Sequence, residues 1–256
     1  MKIQVVEKTD SETKFIVDGI QPSFANELRR IMTHETPTMA IEFVDFVKND
    51  SALNDEIVAN RLGQIPLKFD KKAYNMTKNC KCDGKGCSLC QVKLSLKKKG
   101  PAIVYSGDMK VAKAKDVVPV FSKVPIVELF GDQEIEFEAI ATLGIGKDHT
   151  KWQSAVVGYT NLLQPTKKEA ELKLCANHLN SVKDVKGIKS KPLECIVCKS
   201  LNDDNGHFKM VDDSFIFTVE TASGLTMDDI ISQSGEILEE KLKEFDKSLK
   251  KIKENS

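Results

Sequence analysis

The sequence lacks the residues and motifs on which most enzymes depend. It has four histidines, one tryptophan and an aromatic content of 6% in 256 residues, and no histidine lies near a candidate nucleophile. G-x-S-x-G, H-E-x-x-H and P-loop sequences are absent, and Gly144-Ile145-Gly146 alone is far short of a dinucleotide fingerprint. We therefore expect no catalytic residues in this chain.

Net charge is also lacking, since 38 basic residues balance 38 acidic ones. Such a chain has no overall attraction for nucleic acid, and we expect no direct sequence-specific binding to it. No apolar run approaches the roughly 20 residues of a membrane span, and MKIQVVEKTD has no apolar core of a secretory signal. We expect a cytoplasmic protein without membrane contact, in which close cysteine pairs indicate metal ligands before disulfides.

The most distinctive segment is NCKCDGKGCSLCQ, which holds four of the seven cysteines. Cys80 and Cys82 form one close pair, Cys87 and Cys90 form another, and Asp83-Gly84-Lys85-Gly86 supplies the turn between them. Four thiolates in this pattern can surround one tetrahedral ion. We predict a zinc site that is structural, because a closed four-cysteine site has no open coordination position. An iron–sulfur cluster is the less favoured alternative.

A second set of cysteines lies in a lysine-rich, aromatic-poor stretch at 167 to about 210. Its members are Cys175, Cys195 and Cys198. Leu201 stands where a ferredoxin-type run would have its next cysteine, so a fourth ligand is missing. His178 or His207 could complete a zinc site, or three cysteines could hold a three-iron cluster. A vestigial, metal-free module is the third reading.

Hydrophobic periodicity predicts many strands and few helices before residue 160, in the irregular order typical of an α+β protein. One helix is predicted to begin at Ser23, whose side chain would cap it by accepting a backbone N–H bond. Arg29 and Arg30 would point away from its apolar stripe. The stripe consists of Phe24, Leu28, Ile31 and Met32. A second helix is predicted within residues 51–67, and its buried face would contain Leu53, Ile57 and Leu62.

The last predicted helix begins at a capping box formed by Thr226 and Asp229. Its apolar residues alternate four and three apart, which is typical of a coiled-coil seam. They are Leu238, Leu242, Phe245, Leu249 and Ile252. We expect a partner helix to cover this seam. Pattern alone therefore predicts a scaffold with metal-stapled loops and a helical docking surface.

Four stretches of the sequence are distinctive: ANELRRI at 25–31, EIVANRLGQIPL at 56–67, GIGKDHTKW at 144–152 and FTVETASGLTMDDII at 217–231. Together they resemble the α-like subunits of multisubunit RNA polymerases. The first two match two signatures of that family, the third is similar to a segment of its archaeal members and their eukaryotic relatives, and the fourth resembles the family's return strand and the start of its last helix. The two sets of cysteines favour the archaeal α-like type over the bacterial α subunit. The four-cysteine loop at 79–91 resembles the zinc loop of the third-largest subunit of eukaryotic RNA polymerase II.

This resemblance implies a discontinuous α-like dimerisation domain with an inserted mainly-β domain and a small ferredoxin-like insertion. The dimerisation domain would comprise residues 1–48, 159–166 and 211–256. The insert domain with the four-cysteine loop would be 49–158, and the ferredoxin-like insertion 167–210.

The resemblance also implies a non-catalytic assembly subunit of DNA-directed RNA polymerase, a nucleotidyltransferase whose catalytic residues lie on another subunit. The apolar residues of the first and last helices would contact a small α-like partner, of the kind called L in archaea. This heterodimer would seed assembly of the large catalytic subunits, together with other small assembly subunits. Arg29, Arg30 and Arg61 would contact a large subunit or be structural. The alternatives are a eukaryotic α-like subunit in the nucleus, a zinc-ribbon nucleic-acid binder and an iron–sulfur redox protein.

Overall fold

The computed structural model describes residues 1–111, 117–165 and 208–254. The chain divides into one compact unit of Met1–Arg29 with Val157–Glu220 and a second of Arg30–Val156 with Thr221–Ser256. The predicted ferredoxin-like insertion lies outside the described residues, apart from its last three positions. Also outside lie the second cysteine set and the alternative ligands considered with it: Cys175, Cys195, Cys198, His178 and His207.

The first unit contains a four-stranded sheet with the order β1-β2-β12-β11. Its strands are β1 (Lys2–Lys8), β2 (Glu12–Asp18), β11 (Ala155–Pro165) and β12 (Phe208–Thr221). Strands β1 and β2 form an N-terminal hairpin, and β12 pairs antiparallel with β2 so that Phe15 lies opposite Phe217. Their rings stack with centroids 5.2 Å apart. The start of the chain and a segment from its last fifth thus share one sheet.

Helix α1 (Pro22–Arg30) belongs to this unit except for its last residue. It begins one residue before Ser23, because the backbone N–H groups of Phe24 and Ala25 already donate to the Gln21 carbonyl. Proline has a fixed φ that suits the first helical position, and it has no N–H to leave unpaired there. The expectation that Ser23 caps the helix is therefore wrong.

The second unit is built on a sheet with the order β3-β10-β5-β7. Its strands are β3 (Thr38–Asn49), β5 (Gln91–Lys99), β7 (Lys110–Val111) and β10 (Glu134–Gly144). Two small sheets pair β4 (Leu67–Lys68) with β8 (Val118–Pro119), and β6 (Ala102–Tyr105) with β9 (Pro125–Leu129). One face of β10 buries Ile135, Phe137 and Ala139, and the alternate residues meet lysines of β5, as in the Lys97–Glu136 pair at 2.6 Å. This alternation fixes the register of the central strand.

The described part of the second unit also contains a π-helical turn (Ile31–Glu35), α2 (Asp55–Gly63), α3 (Met227–Glu254) and three short 3₁₀ turns (Thr77–Asn79, Ser106–Asp108 and Thr150–Trp152). The predicted capping box starts α3, since the Asp229 N–H donates to Thr226 Oγ1 at 3.2 Å. Lys241 of α3 pairs with Glu35 of the π-helical turn at 2.8 Å. The mixture of helices with antiparallel sheets is α+β, as expected.

Helix α2 buries a different face from the predicted one. Val58 and Leu62 are fully buried, whereas Ile57 is 45% exposed. Because the helix begins only at Asp55, Leu53 lies before it, and the inward stripe is set by Val58 and Leu62, four residues apart. None of the helices in the described residues combines the length and hydropathy needed to cross a membrane.

Candidate metal centre and docking helix

The four clustered cysteines converge on one point between a short 3₁₀ turn (Thr77–Asn79) and the start of β5. All four sulfur atoms lie within 4.8 Å of one another. The Sγ–Sγ distance is 3.5 Å for Cys80 and Cys87, 3.6 Å for Cys82 and Cys90, and 3.8 Å for Cys87 and Cys90. Four thiolates bound tetrahedrally at a Zn–S distance of about 2.3 Å would be about 3.8 Å apart. The donor set and its spacing fit one zinc ion.

Local backbone geometry explains how the loop brings the sulfurs together. Gly86 has a φ of 82°, and a Cβ there would collide with the side chain of Gln91. The Cys87 N–H donates to Cys90 Sγ at 3.3 Å, and the N–H groups of Cys90 and Gln91 both donate to the Cys87 carbonyl at 3.0 Å. This tight turn aims the second cysteine pair at the first, as the glycine-containing spacing predicted.

The thiols do not titrate alike. Burial raises the pKa of Cys90 to about 12. Burial also acts to raise the pKa of Cys82, but hydrogen bonds from Cys80 and Cys90 outweigh it and lower that pKa to about 7. By themselves, the four groups therefore cannot all be thiolates near neutral pH. A bound divalent cation removes this restriction, because it deprotonates the thiols that coordinate it.

The predicted apolar seam of α3 is exposed over its second half. Leu242, Phe245, Leu249 and Ile252 are 61%, 63%, 41% and 63% exposed, and we call these four residues the α3 strip. Leu238, one turn earlier, is half-buried, and Ile230 in the first turn is fully buried. The helix thus packs on its own unit in its first half and presents apolar surface in its second.

The apolar stripe predicted for the first helix does not continue as one surface. Phe24 and Leu28 are half-buried, but Ile31 and Met32 are 0% exposed. The helix changes to π geometry at Ile31, where the Thr36 N–H donates to the Ile31 carbonyl five residues back. This change breaks the 3.6-residue period on which the stripe was counted. Ile31 and Met32 have no side-chain surface to offer a partner, so their assignment to an interface is wrong for this conformation.

Two of the three predicted arginines, Arg29 and Arg61, make contacts within their own units. Arg61 Nη1 donates to the carbonyl of Ile126 at 2.7 Å, which is a structural role. Arg29 donates from Nε and Nη2 to Asn26 Oδ1 at 3.3 and 3.0 Å, and Arg30 is exposed. Their contact with a large subunit stays a prediction.

The GIGKDHTKW segment has a structural role that its sequence did not reveal. The Lys147 N–H donates to the His34 carbonyl at 2.9 Å, and a Cβ on Gly146 would lie 2.9 Å from the Thr33 carbonyl. Just after the segment, the buried Ser154 hydroxyl donates to the Met32 carbonyl. The segment therefore clamps the π-helical turn. Gly144 and Gly146 were the sequence signal for this role, because glycine often occurs where one backbone segment approaches another closely.

A second close approach positions the start of α3. A Cβ on Gly224 would collide with the backbone carbonyl of Leu67 in β4. The neighbouring turn is held by Thr221, whose Oγ1 donates to the carbonyls of Ser223 and Leu225 at 3.2 and 3.1 Å. In the sequence, Gly224 is distinguished only as one residue of the segment FTVETASGLTMDDII, and nothing there predicts its contact with Leu67.

Comparison with known proteins adds a family to this geometry. The model of the RNA polymerase Rpb3/RpoA insert domain matches residues 44–164. The chain is 36% identical over 265 residues to DNA-directed RNA polymerase subunit Rpo3 of Pyrococcus furiosus, and 32% identical over 269 residues to that of Archaeoglobus fulgidus. Each of these alignments covers 98% of both chains. The Rpo3 of Methanothermobacter thermautotrophicus is 44% identical over 156 residues, covering 60% of this chain and 58% of that relative.

Proposed function

Because this chain belongs to the Rpo3 family of DNA-directed RNA polymerase subunits, we propose that it is a non-catalytic assembly subunit of that enzyme. It pairs with a small α-like subunit, of the kind called L in archaea. The pair is the platform on which the large catalytic subunits and the other small subunits assemble for transcription in the cytoplasm.

The observation that carries this proposal is the α3 strip. Four large apolar side chains on one helical face are left 41% to 63% exposed. An apolar face of this kind on a long helix is typical of a surface that another helix covers. Phe24 and Leu28 of α1, which are half-buried, are the second proposed contribution to the contact.

The sheet of the first unit supports a dimerisation domain made from distant parts of the chain. Strands β1 and β2 come from residues 2–18, whereas β12 comes from residues 208–221. We propose that residues 1–48, 159–166 and 211–256 form this domain, with 49–158 inserted in it. The family model, which starts at residue 44 and ends at 164, supports an insert at this place in the chain.

The cysteine loop has a fastening role in this proposal. Cys80, Cys82, Cys87 and Cys90 would hold one zinc ion, which supplies a cross-link between the two ends of a loop with little core of its own. The backbone of the loop, through the Gly86 turn and the Cys87 N–H, orients the sulfurs before any ion is bound. No substrate contact is assigned to this site.

The decisive experiment is purification of the tagged full-length chain from its own host, followed by mass spectrometry. We expect the two large polymerase subunits and one small α-like chain to co-purify in equal amounts. Recovery of the chain alone, or with proteins unrelated to transcription, would refute the proposal. An untagged strain carried through the same steps is the control.

A further inference from the structure

A groove of about 980 Å³ lies within the second unit, between the first half of α3 and the segment at residues 69–79. We propose that this groove binds a short basic peptide segment of another protein. An apolar side chain of the peptide lies on the groove floor, and its lysine or arginine side chains pair with Glu236 and Glu240. This site is separate from the α3 strip and from the cysteine cluster, and it goes beyond the proposed function.

The floor of the groove is apolar and firmly held. Phe69, Tyr74 and Leu143 line it, and each is only 8% exposed. Ile237 of α3 is half-buried and adds apolar surface from the opposite wall. A buried aromatic floor with an open top is suited to one apolar anchor, which contributes most of the affinity in many peptide complexes.

The net charge of the groove lining favours a ligand of positive charge. Four carboxylates and two ammonium groups line the groove, which leaves a net charge of two negative. One carboxylate and one ammonium are already paired with each other, since Asp229 contacts Lys71 at 2.8 Å across the groove. The remaining lining charges are those of Asp70, Lys72, Glu236 and Glu240, which together leave two negative charges. Glu236 and Glu240 are the two of these carboxylates that lie on α3.

Glu236 and Glu240 are positioned to act together. They lie four residues apart, so their side chains share one face of α3. Both are exposed, and within the described residues Glu240 has no ion pair while Glu236 has only a hydrogen bond with Ser232 at 3.5 Å. The first half of α3, residues 227–240, has five acidic residues and no lysine or arginine. Lys243 in the second half interacts electrostatically with Glu240, but its ion pair, at 2.6 Å, is with Glu239.

The dimensions favour a peptide over a small metabolite. The lining residues of α3 run from Asp229 to Glu240, which corresponds to a length of roughly 16 Å at 1.5 Å per residue. About five residues of extended chain span that distance at roughly 3.3 Å each. The volume is near the upper end of the range for small-molecule pockets, about 300–1,000 Å³. Alternating apolar and basic side chains of one extended segment can reach floor and rim together.

The test uses a phage-displayed library of random short peptides, selected on the full-length chain. Enriched peptides are synthesised with a fluorescein label and titrated by fluorescence polarisation. We expect sequences with an apolar residue flanked by lysine or arginine. Their affinity should fall by at least about tenfold for the double variant Glu236→Lys/Glu240→Lys. It should also fall as salt is raised, because rim charges are screened.

The control is Glu239→Lys, which makes the same charge change as either single substitution, on the same helix but outside the groove lining. Affinity should change by less than about twofold in this variant. The proposal is overturned if no peptide is enriched, if the enriched peptides are acidic or neutral, or if both variants weaken binding equally. It is also overturned if binding is lost on Phe245→Asp instead, because the peptide would then occupy the α3 strip. None of these measurements depends on polymerase subunits, so their outcome is independent of the proposed function.

Discussion

The cysteine loop and the second half of α3 both carry a surface that needs a further component, but the two components differ in kind. In the loop, four sulfur atoms within 4.8 Å of one another can surround a single cation. On α3, four large apolar side chains, each at least 41% exposed, form a surface that another protein can cover. In the proposed function, an ion completes the first feature and a partner with a complementary shape completes the second.

The difference teaches which feature defines the function. A closed set of four thiolates leaves no position for a substrate, so it can stabilise only its own loop. The α3 strip has no reactive group, but under the proposed function its burial by a particular partner decides what the chain assembles with. We expect the two features to fail independently.

The prediction with the largest expected effect tests whether the cysteine loop can fail while the α3 strip still binds its partner. The purified, reduced protein should contain about one zinc per chain, and Cys82→Ser should bind the ion orders of magnitude more weakly, because the remaining three thiolates cannot close the tetrahedron. Metal analysis measures the content, and hydrogen exchange should show loosening confined to residues 75–91. Binding to the small α-like subunit should be retained.

Acidification should release the ion, because each sulfur must be deprotonated to coordinate it. Protein free of zinc when freshly purified would contradict the assignment.

The second prediction addresses the other side of the comparison. Phe245→Asp should weaken binding to the small α-like subunit by about 100-fold, since a carboxylate would be buried without a partner. The zinc content and the melting temperature of the isolated chain should not change, because this side chain is 63% exposed. Calorimetric titration of the purified pair measures the affinity.

Lys247→Asp is the matched control for that variant, because it also adds a carboxylate to an exposed position of the same helix. It lies outside the strip and should leave the affinity within about twofold of wild type. Equal loss in both variants would indicate a general charge effect and remove the strip from the interface.

The third prediction concerns how the first half of α3 is fixed, in contrast to its second half. Gly224→Ala should reduce the free energy of unfolding by about 1–3 kcal/mol, since its Cβ would collide with the Leu67 carbonyl. Gly235→Ala, within α3 and with no atom near the added Cβ, should raise it by roughly 0.5–1 kcal/mol. Urea denaturation measures both. Two changes of the same sign would show that the contact at Leu67 does not position the helix.

The sequence predicted those features whose pattern is local. The spacing of the four cysteines and the capping box at Thr226 each depend on residues close in the chain, and the structure agrees with both. The zinc itself and the partner stay predictions. Spacing fixes which atoms can converge, but not what binds them.

The features that sequence did not predict depend on distant segments. No periodicity shows that Ile31 and Met32 are enclosed, because their burial follows from a π-helical turn clamped by residues 146–154. Likewise, the groove beside α3 forms because residues 69–79 lie next to a helix that comes much later in the sequence. No repeating pattern in residues 69–79 indicates this neighbour. The face of α2 was misjudged because its first residue was placed too early.

The smallest expected effect tests the ion pair that ties the first half of α3 to residues 69–79. The pKa of Asp229 is lowered, first by its hydrogen bond with Lys71 and then by that with Thr226. Lys71→Met should therefore raise this pKa towards its ordinary value, which carboxyl NMR titration can follow. A carboxylate with a lowered pKa stabilises the fold at pH values above its unfolded pKa, and this contribution disappears as pH falls through the folded value. The stability lost at neutral pH should be below about 1 kcal/mol, because the pair is partly exposed and screened by salt. Lys243→Met is the control, since Lys243 pairs with Glu239 and its removal should leave the pKa of Asp229 unchanged. An unchanged Asp229 titration in Lys71→Met would mean that the two walls of the groove are not held by this contact.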